Sequence, residues 1–446
     1  MSYKYLVKRL EDSGFETYLV GGALRDKLLG EKIHDIDLTT RARPEQIMKI
    51  FSDMKLIDIG KKFGTIKVIY KSEEFEITSF RAESFYKDKR HPDKISFSNT
   101  IEEDLKRRDF TINAMAERNG KIIDLFDGKK DLKDKIIRAV GNPYERIEED
   151  YLRALRAVRF ATVLDFEIEE NLKNAIKNKK NNIEEISKER IRDEINKILL
   201  SKNPSKGIRL LEKLGLLEYI FPEVKKMIGF NQHSSHHKFD LFEHSMKVLD
   251  MTPANLKTRM AGLFHDTGKI DTFFLDENGE GRFFGHQEIS KEIIKNRLKD
   301  LKYSKKFIEN TSLLVERHMD NTNTYTKKSV RKLLRKVGDE NIYDLFDLQK
   351  ADVLSTVHDN TENISNAKIL LDEILNSNTP RQKDQIDFSG NDLIEMGFEM
   401  GFKEGKKLGE ILNEVYNLVM DEKLENKKSE IVKYIKNKYN NLDRNY

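Results

Sequence analysis

Two aspartates, Asp35 and Asp37, stand two residues apart on either side of an isoleucine. If residues 36–38 form a strand, its two-residue period points both carboxylates to the same face. Carboxylates held this close repel each other unless a cation lies between them. Oxygen ligands beside a phosphate suit Mg²⁺, so the spacing predicts a magnesium site that handles phosphates. An ordinary solvated strand face is the alternative interpretation.

The residues before this pair predict a phosphate-binding turn. An apolar run at residues 18–20 indicates a strand, Gly21 and Gly22 indicate a turn, and residues 23–29 are typical of a short helix. Adjacent glycines let the backbone approach an anion closely. The unpaired N–H groups and the positive end of the helix dipole favour negative charge at the same place.

This order of features, a glycine pair followed within 20 residues by Asp-x-Asp, resembles the opening of the DNA polymerase β-like nucleotidyltransferase superfamily. The resemblance is specifically to the branch of bacterial tRNA nucleotidyltransferases and poly(A) polymerases. It implies that Asp35 and Asp37 are catalytic and hold Mg²⁺. It also implies that the turn and the following helix bind the nucleotide, through Gly21, Gly22, Arg25 and Asp26.

Composition limits the class of protein. At 446 residues the chain has room for about three domains. It has no cysteine, which excludes disulfides and thiolate zinc sites and fits a reducing cytoplasm. We find no long apolar run and no signal-peptide core, so we expect a cytoplasmic protein without a membrane partner. The net charge of +4, from 81 basic and 77 acidic residues, does not by itself indicate nucleic acid.

A third acidic group is predicted further along the first part of the chain. Residues 64–70 and 75–80 are typical of strands, which with the intervening helices predicts a small α/β sheet. In the second run Glu76 shares a face with Thr78, opposite the apolar residues. Glu76 is therefore the candidate third carboxylate beside the aspartates, and an exposed strand glutamate is the alternative.

A basic pair, Arg107 and Arg108, is followed by Asp109 and Asn113, which are four residues apart. On a helix this spacing places the carboxylate and the amide on one face. Such a group can bind a triphosphate and a ribose, and a solvated basic loop before a helix is the alternative.

Residues 81–99 form a long, charged segment without periodicity. Loops of this length are usually functional or disordered. In the resembled family this position holds a flexible loop that is needed for the final A addition, and Arg81 and Arg90 are its candidates here.

Residues 142–161 are predicted to form a helix with Leu152, Leu155 and Val158 on its apolar face. In the resembled family an element with this pattern is the protein template that selects the incoming base. The polar positions concerned are Glu149, Asp150, Arg153, Arg156 and Arg159. Exposed i, i+3 ion pairs are the alternative interpretation.

Base selection by this helix has a direct chemical argument. Cytosine and adenine both present an amino donor beside an unprotonated ring nitrogen, and uracil and guanine reverse that order. Asp150 can accept from the amino group and Arg153 can donate to the ring nitrogen. Against the wrong base both contacts fail, at a cost of ~1–3 kcal/mol each. We expect Arg156 and Arg159 to face the triphosphate or RNA.

Six of the ten histidines lie between residues 233 and 286. The pattern formed by His244, His265, Asp266 and Asp352 resembles that of the HD phosphohydrolases. His286 and His318 are further candidate ligands. Imidazole and carboxylate ligands suit a divalent transition metal, with nickel, manganese and zinc as candidates. In related tRNA nucleotidyltransferases an HD domain acts as a phosphatase or cyclic phosphodiesterase on RNA ends.

The C-terminal part carries glycines four residues apart, Gly397, Gly401, Gly405 and Gly409. Such a helix can approach a phosphate backbone closely. The lysines among these glycines, Lys403, Lys406 and Lys407, are predicted to bind tRNA. A solvated lysine-rich helix is the alternative.

Together these features predict an α+β chain with four parts: an α/β nucleotidyltransferase head (1–140), a helical neck (141–230), an HD metal-binding domain (231–360) and a helical tRNA-binding tail (361–446). The predicted function is template-independent addition of C, C and A to tRNA from CTP and ATP. One alternative is a poly(A) polymerase or an enzyme that adds only A. Another is an HD phosphohydrolase with an RNA-binding head. The sequence leaves the oligomeric state undecided.

Overall fold

The computed structural model describes residues 3–33, 35–60, 64–82, 96–233, 239–322, 324–357, 360–377, 380, 385–398, 402–420 and 422–439. Helices predominate beside one large sheet, so the predicted α+β class is confirmed. The chain divides into two compact units, Met1–Lys225 with Lys299–Tyr303, and Lys226–Leu298 with Ser304–Tyr446. The finer division into four parts stays a prediction.

The first unit is built on a seven-stranded sheet in the order β3-β4-β5-β2-β1-β6-β7. Its strands are β1 Thr17–Val20, β2 Ile36–Thr40, β3 Lys55–Gly60, β4 Thr65–Tyr70, β5 Glu73–Ser79, β6 Met115–Arg118 and β7 Lys121–Asp124. β2 and β5 are parallel, and the other neighbours are antiparallel. The strands predicted around residues 18–20, 36–38, 64–70 and 75–80 are confirmed, whereas β3, β6 and β7 were not predicted.

Burial along β5 alternates as the two-residue period requires. Phe75 and Ile77 are fully buried, and Glu76 between them is exposed. The helices of this region are α1 Tyr3–Asp12, α2 Gly21–Leu29, α3 Pro44–Ile50, α4 Ile101–Lys106 and α5 Gly128–Asp134. α2 begins at Gly21 itself, which has a φ of +63°, so the first glycine joins strand to helix without a separate turn.

The remainder of the first unit is mainly helical. Its elements are β8 Ile136–Ile137, α6 Pro143–Glu149, α7 Leu152–Val163, β9 Glu167–Ile168, α8 Glu170–Asn178, α9 Lys188–Leu199, α10 Pro204–Lys213, α11 Leu217–Ile220 and α12 Pro222–Lys225. The prediction of one helix over residues 142–161 was wrong. The chain breaks at Asp150, where φ is −152° and ψ is 102°. Its carboxylate accepts from the backbone N–H of Leu152 at 3.0 Å and so begins a new helix.

The second unit contains eleven further helices among its described residues. They are α13 Leu241–Met251, α14 Leu256–Phe264, α15 Lys269–Thr272, α16 His286–Asp300, α17 Lys305–Arg317, α18 Lys327–Val337, α19 Ile342–Leu354, α20 Glu362–Asn376, α21 Gly390–Glu395, α22 Phe402–Met420 and α23 Lys428–Tyr439. A two-stranded hairpin, β10 Phe274–Leu275 and β11 Gly281–Arg282, precedes α16. Among the described residues, none of the helices has the length and apolar character that crossing a membrane requires.

Candidate active sites

The three predicted carboxylates of the head come together at the junction of β2 and β5. The parallel register sets Asp37 directly opposite Glu76, and Asp35 immediately precedes β2. Burial raises the pKa of Asp37 to about 6, the charge of Arg108 opposes this shift, and Glu76 and Asp35 add to it. Burial and the two neighbouring acids therefore disfavour the charge of Asp37, which is the condition that a bound cation relieves.

The backbone of α2 lies against this acidic group. A side-chain Cβ added at Gly21 would lie 3.2 Å from an oxygen of Asp37 and 3.2 Å from Nη1 of Arg108. A larger residue would fill the space between the carboxylate and the guanidinium. The first glycine thus leaves a gap between a candidate metal ligand and a candidate phosphate ligand.

Arg107 and Arg108 are positioned by an aspartate that the sequence analysis missed. Asp104 is fully buried, and its two oxygens pair with Arg107 at 2.5 Å and with Arg108 at 3.1 Å. Burial alone would raise the pKa of Asp104, but the charges of Arg108 and Arg107 outweigh it and hold the pKa below its usual value. The i, i+3 and i, i+4 spacing to the arginines was the signal that could have identified it.

The prediction that Asp109 and Asn113 share one α-helical face was wrong, because α4 ends at Lys106 and Thr111–Asn113 is a 3₁₀ turn. The carboxylate of Asp109 accepts from the backbone N–H of Phe110 instead, which ends any helix there. The two side chains still meet, since the Asn113 amide donates to Asp109 at 3.3 Å.

Asp109 and Asn113 belong to a chain of polar contacts that leads from α2 to α7. Arg25 pairs with Asp26 at 2.7 Å and donates to the Asn113 side chain at 2.9 Å. Arg156 donates to Asp109 at 2.7 Å. Burial alone would raise the pKa of Asp109, but the charge of Arg156 and its hydrogen bond hold the pKa at about 2. The head and the candidate template helix are thus linked by paired charges.

Phe160, also missed by the sequence analysis, packs among three of the candidate arginines. The guanidinium carbons of Arg159, Arg25 and Arg156 lie 4.0, 5.1 and 5.4 Å from the centre of its ring. Cation–π attraction on this scale contributes about 0.5–2 kcal/mol per contact. Arg159 also pairs with the buried carboxylate of Glu194 at 2.6 Å.

The predicted base-selecting residues each have a protein partner in this structure. Asp150 accepts from Arg190 of α9 at 2.7 Å. Arg153 pairs with Glu149 at 2.5 Å and donates to the backbone carbonyl of Arg146 at 2.9 Å. Nothing in the local sequence indicated Arg190, because it lies 40 residues from its partner.

Histidines and aspartates from five helices converge in the second unit, forming what we call the histidine centre. Its members are His244 in α13, His265 and Asp266 at the end of α14, His286 at the start of α16, His318 at the end of α17 and Asp352 in α19. All but Asp352 are at most 5% exposed. His265 and Asp266 follow the end of α14 at Phe264, and their side chains reach the same place although the two residues are adjacent.

Asp266 divides the histidine centre into two candidate metal sites. On one side its Oδ2 lies 3.5 Å from Nε2 of His244 and 3.1 Å from Nε2 of His265. On the other side its Oδ1 lies 3.3 Å from Nε2 of His286 and 3.7 Å from Nε2 of His318. Each group of three ligand atoms lies within 4.8 Å, as bound metal requires. Asp352 joins the first group, 3.1 Å from Nε2 of His244.

Backbone contacts fix which nitrogen of these histidines faces the centre. The Nδ1 atoms of His265, His286 and His318 lie 2.8, 2.9 and 2.6 Å from the carbonyl three residues earlier, which can only accept. Each Nδ1 therefore carries a proton, and each Nε2 is the atom available to a metal. Burial lowers the pKa of His318, which keeps it neutral.

Cationic neighbours hold Asp266 ionised. Burial opposes ionisation, but the charges of His265 and Lys269 outweigh it and hold the pKa of Asp266 well below its usual range. Lys269, itself buried, lies 2.7 Å from Asp266 and donates to Gln232 at 2.9 Å. Burial alone would also lower the pKa of His265, yet Asp266 and Asp352 raise it to about 10. A proton and a metal therefore compete for that imidazole.

The predicted loop arginine Arg90 and the predicted tail lysines lie wholly or partly outside the described residues. Arg90 lies outside the described residues. Lys403, Lys406 and Lys407 fall within the backbone of α22, but their side chains also lie outside what the structure describes. Arg81 is described, and its backbone N–H donates to Asp104 at 3.2 Å.

Three family models match successive parts of the chain. The Poly A polymerase head domain matches residues 17–138, and the probable RNA and SrmB-binding site of polymerase A matches residues 165–228. A putative domain 2 of tRNA nucleotidyltransferase matches residues 283–435. The first match contains all three head carboxylates.

Curated relatives carry the description CCA-adding enzyme. The Ligilactobacillus salivarius protein is 46% identical over 261 residues, which cover 56% of this chain and 64% of that protein. The Lactobacillus helveticus protein is 51% identical over 194 residues, which cover 43% of this chain and 48% of that protein. The chain thus matches less than two thirds of the length of these relatives.

Solved structures of the same description resemble the whole chain. A Bacillus stearothermophilus CCA-adding enzyme in complex with CTP matches with a TM-score of 0.74 and 26% identity, covering 99% of this chain and 97% of that one. A Thermotoga maritima CCA-adding enzyme complexed with tRNA shares the fold, with a TM-score of 0.58 and 21% identity over 98% and 94% of the two chains. Successive parts of the chain are therefore similar to poly(A) polymerase and tRNA nucleotidyltransferase domains, and its whole length is similar to the solved CCA-adding enzymes.

Proposed function

We propose that this protein adds C, C and A to the 3′ end of tRNA, from CTP and ATP, with release of pyrophosphate. The observation that carries the proposal is the meeting of Asp37, Glu76 and Asp35 at the start of α2, with Arg108 facing the same gap. The relatives named above as CCA-adding enzymes support the choice of reaction. We place the reaction in the cytoplasm, because a chain without cysteine needs no oxidising compartment to form disulfides.

The donors of the head fit Mg²⁺, because they are carboxylate oxygens whose mutual repulsion a divalent cation would relieve. We assign Asp35 and Asp37 as the residues that hold it and Glu76 as the neighbouring acid. When bound, Mg²⁺ stabilises the negative charge that develops during phosphoryl transfer. Gly21 and Gly22 leave room for a phosphate at the start of α2, and Arg108 with Arg107 offers it positive charge.

Base choice is assigned to Asp150 and Arg153. The carboxylate accepts from the exocyclic amino group of cytosine or adenine, and the guanidinium donates to the adjacent ring nitrogen. Their present partners, Arg190 and Glu149, hold both side chains in position until a base binds. We assign Arg25, Asp26, Asp109 and Asn113, with Arg156 and Arg159, to nucleotide binding, because their contacts form one network between α2 and α7.

The test uses tRNA lacking its last three nucleotides, incubated with each nucleoside triphosphate separately and in pairs. We expect CTP alone to add two residues and CTP with ATP to add three. Repeated A addition with ATP alone would identify a poly(A) polymerase, and a single A would identify an enzyme that adds only A. Asp35→Ala should abolish incorporation while leaving tRNA binding largely intact, and substantial residual incorporation would refute the metal assignment.

A second activity, phosphohydrolysis at the histidine centre, is favoured by the convergence of four Nε2 atoms and two carboxylates. This donor set fits one or two divalent transition metals such as nickel, manganese or zinc, since imidazole predominates. When bound, such a metal polarises a phosphate and activates water. We propose the phosphate of an RNA end as its substrate. Metal-dependent phosphate release that survives Asp35→Ala but not His265→Ala would support this activity.

A further inference from the structure

The hairpin before α16 and the turn that joins them expose three apolar side chains. Phe284 is 76% exposed, Leu275 51% and Phe274 45%. The rings of Phe274 and Phe284 lie 5.7 Å apart, so they form one continuous aromatic surface. Single exposed apolar residues are ordinary, whereas a contiguous group usually marks a binding surface.

The hairpin is tightly joined to the histidine centre. The backbone carbonyl of Phe283 accepts from Nδ1 of His286, which orients that candidate ligand. Gly281 packs so closely on Gln232 that an added Cβ would lie 2.1 Å from the Gln232 carbonyl oxygen. Gln232 in turn accepts from Lys269, the partner of the shared aspartate. The exposed aromatic pair therefore has a fixed position relative to the candidate metal ligands.

The aromatic surface lies next to the histidine centre along the chain. Phe284 stands two residues before His286, so their Cα atoms are at most about 7 Å apart. A phosphate bound at the centre can therefore keep its own base within reach of the aromatic pair. Phenylalanine rings offer no hydrogen bonds to base edges, and stacking on them accepts any base.

We propose that Phe274 and Phe284 stack the terminal nucleobase of an RNA whose 3′ phosphate lies at the histidine centre. This inference rests on the phosphohydrolase activity proposed above and gives it a substrate class, an RNA end with an intact last base. The aromatic character of the pair favours a base over an aliphatic partner. The adjacent Arg282 pairs with Asp276 at 2.6 Å, so a carboxylate already neutralises this guanidinium.

The test compares two fluorescent RNA tetranucleotides with a 3′ phosphate, one complete and one lacking its last base. Their dissociation constants for the full chain with Mn²⁺ are measured by fluorescence anisotropy. We expect the wild-type protein to prefer the complete RNA, and Phe284→Ala to weaken that complex about tenfold while changing the abasic complex less than twofold. Phe284→Tyr, which keeps the ring, should restore the preference.

The matched control is Ile369→Ala, which removes another exposed apolar side chain (58% exposed) from α20 of the same unit. It should leave both dissociation constants unchanged. Equal binding of the two RNAs by the wild type, or equal weakening of both by Phe284→Ala, would overturn the inference. The inference would also be overturned if Phe284→Ala changed the oligomeric state and left RNA binding unchanged, because the surface would then be an interface between copies.

Phosphate release from the complete RNA distinguishes this inference from the activity on which it rests. If the wild type releases no phosphate yet prefers the complete RNA through Phe284, the hydrolase proposal fails and the stacking surface stands. If phosphate is released at equal rates from both RNAs by wild type and Phe284→Ala, the stacking inference fails and the hydrolase proposal stands.

Discussion

The head and the histidine centre both gather carboxylates, but they stabilise them differently. In the head, Asp37 is opposite Glu76 and near Asp35, and its pKa is raised to about 6 by burial and these neighbours, with Arg108 as the main opposing charge. In the histidine centre Asp266 is more deeply buried, yet Lys269 and His265 hold its pKa well below its usual range. The difference teaches that a candidate metal site can be built either from buried carboxylates beside other acids or from oriented imidazoles around an acid whose charge is balanced. The first suits a hard, hydrated cation and the second a transition metal.

The largest expected effect is a separation of the two proposed activities. Asp37→Asn should lower nucleotide incorporation at least about 1000-fold, because loss of a metal ligand removes several kcal/mol of transition-state stabilisation. Asp266→Asn should lower phosphate release by a similar factor. Each variant should keep the other activity, measured on the same preparation. Loss of both activities in either variant would mean that the two centres do not work independently.

Replacing the metal tests whether the carboxylate ligands of the head and the imidazole ligands of the histidine centre prefer different ions. After chelation, we expect Mg²⁺ to restore incorporation and to leave phosphate release at least about 100-fold below its level with Mn²⁺ or Ni²⁺. Both activities are assayed against a titration of each ion. If Mg²⁺ restored both equally, the histidine centre would not be the site of phosphate release.

In the metal-free protein, substitutions in the two sites should change the free energy of unfolding in opposite directions. Asp266→Asn leaves the buried Lys269 without its carboxylate, which should lower the free energy of unfolding by about 3 kcal/mol. Asp37→Asn removes a carboxylate whose charge is disfavoured by burial. This substitution should raise the free energy of unfolding by on the order of 1 kcal/mol at pH 7.5. Because the pKa of Asp37 is raised in the folded state, this gain should be full above pH 6 and vanish below pH 4.

Hydrogen exchange read from peptides of each unit is the measurement for this prediction, since the chain contains no tryptophan. A double variant of Asp266→Asn with Lys269→Met is the control and should recover much of the loss. Destabilisation by Asp37→Asn would contradict the repulsion argument.

The smallest expected effect concerns Asp150, a carboxylate of the first unit that is paired like those of the histidine centre. Arg190→Ala should reduce discrimination of CTP against UTP by about 5- to 10-fold, because the unpartnered carboxylate is less well positioned. Asp150→Ala should reduce this discrimination further. The control is Arg192→Ala, which removes another arginine of α9 that pairs with Asp193 and should leave the discrimination unchanged. The discrimination is measured as the ratio of kcat/KM for CTP to kcat/KM for UTP. Unchanged selectivity in Asp150→Ala would refute the template assignment.

The sequence by itself determined the local elements and the types of residue in each site. Strand period, glycines and helix spacing act over a few residues, so β1, β2, α2 and the alternation along β5 could be predicted. The histidine and aspartate positions of the second unit were also recognisable, because their pattern depends on residue type and not on contacts. The roles of the individual residues, including the lysines of α22, stay predictions.

Tertiary structure alone decided which residues meet. The register that sets Asp37 opposite Glu76, the Arg190 partner of Asp150 and the packing of Phe160 among arginines all join residues far apart in the chain. The break at Asp150 and the 3₁₀ turn after Asp109 arose because side-chain hydrogen bonds to the backbone outweighed helix propensity. Periodicity describes one element at a time, whereas pairing and desolvation depend on how elements pack together.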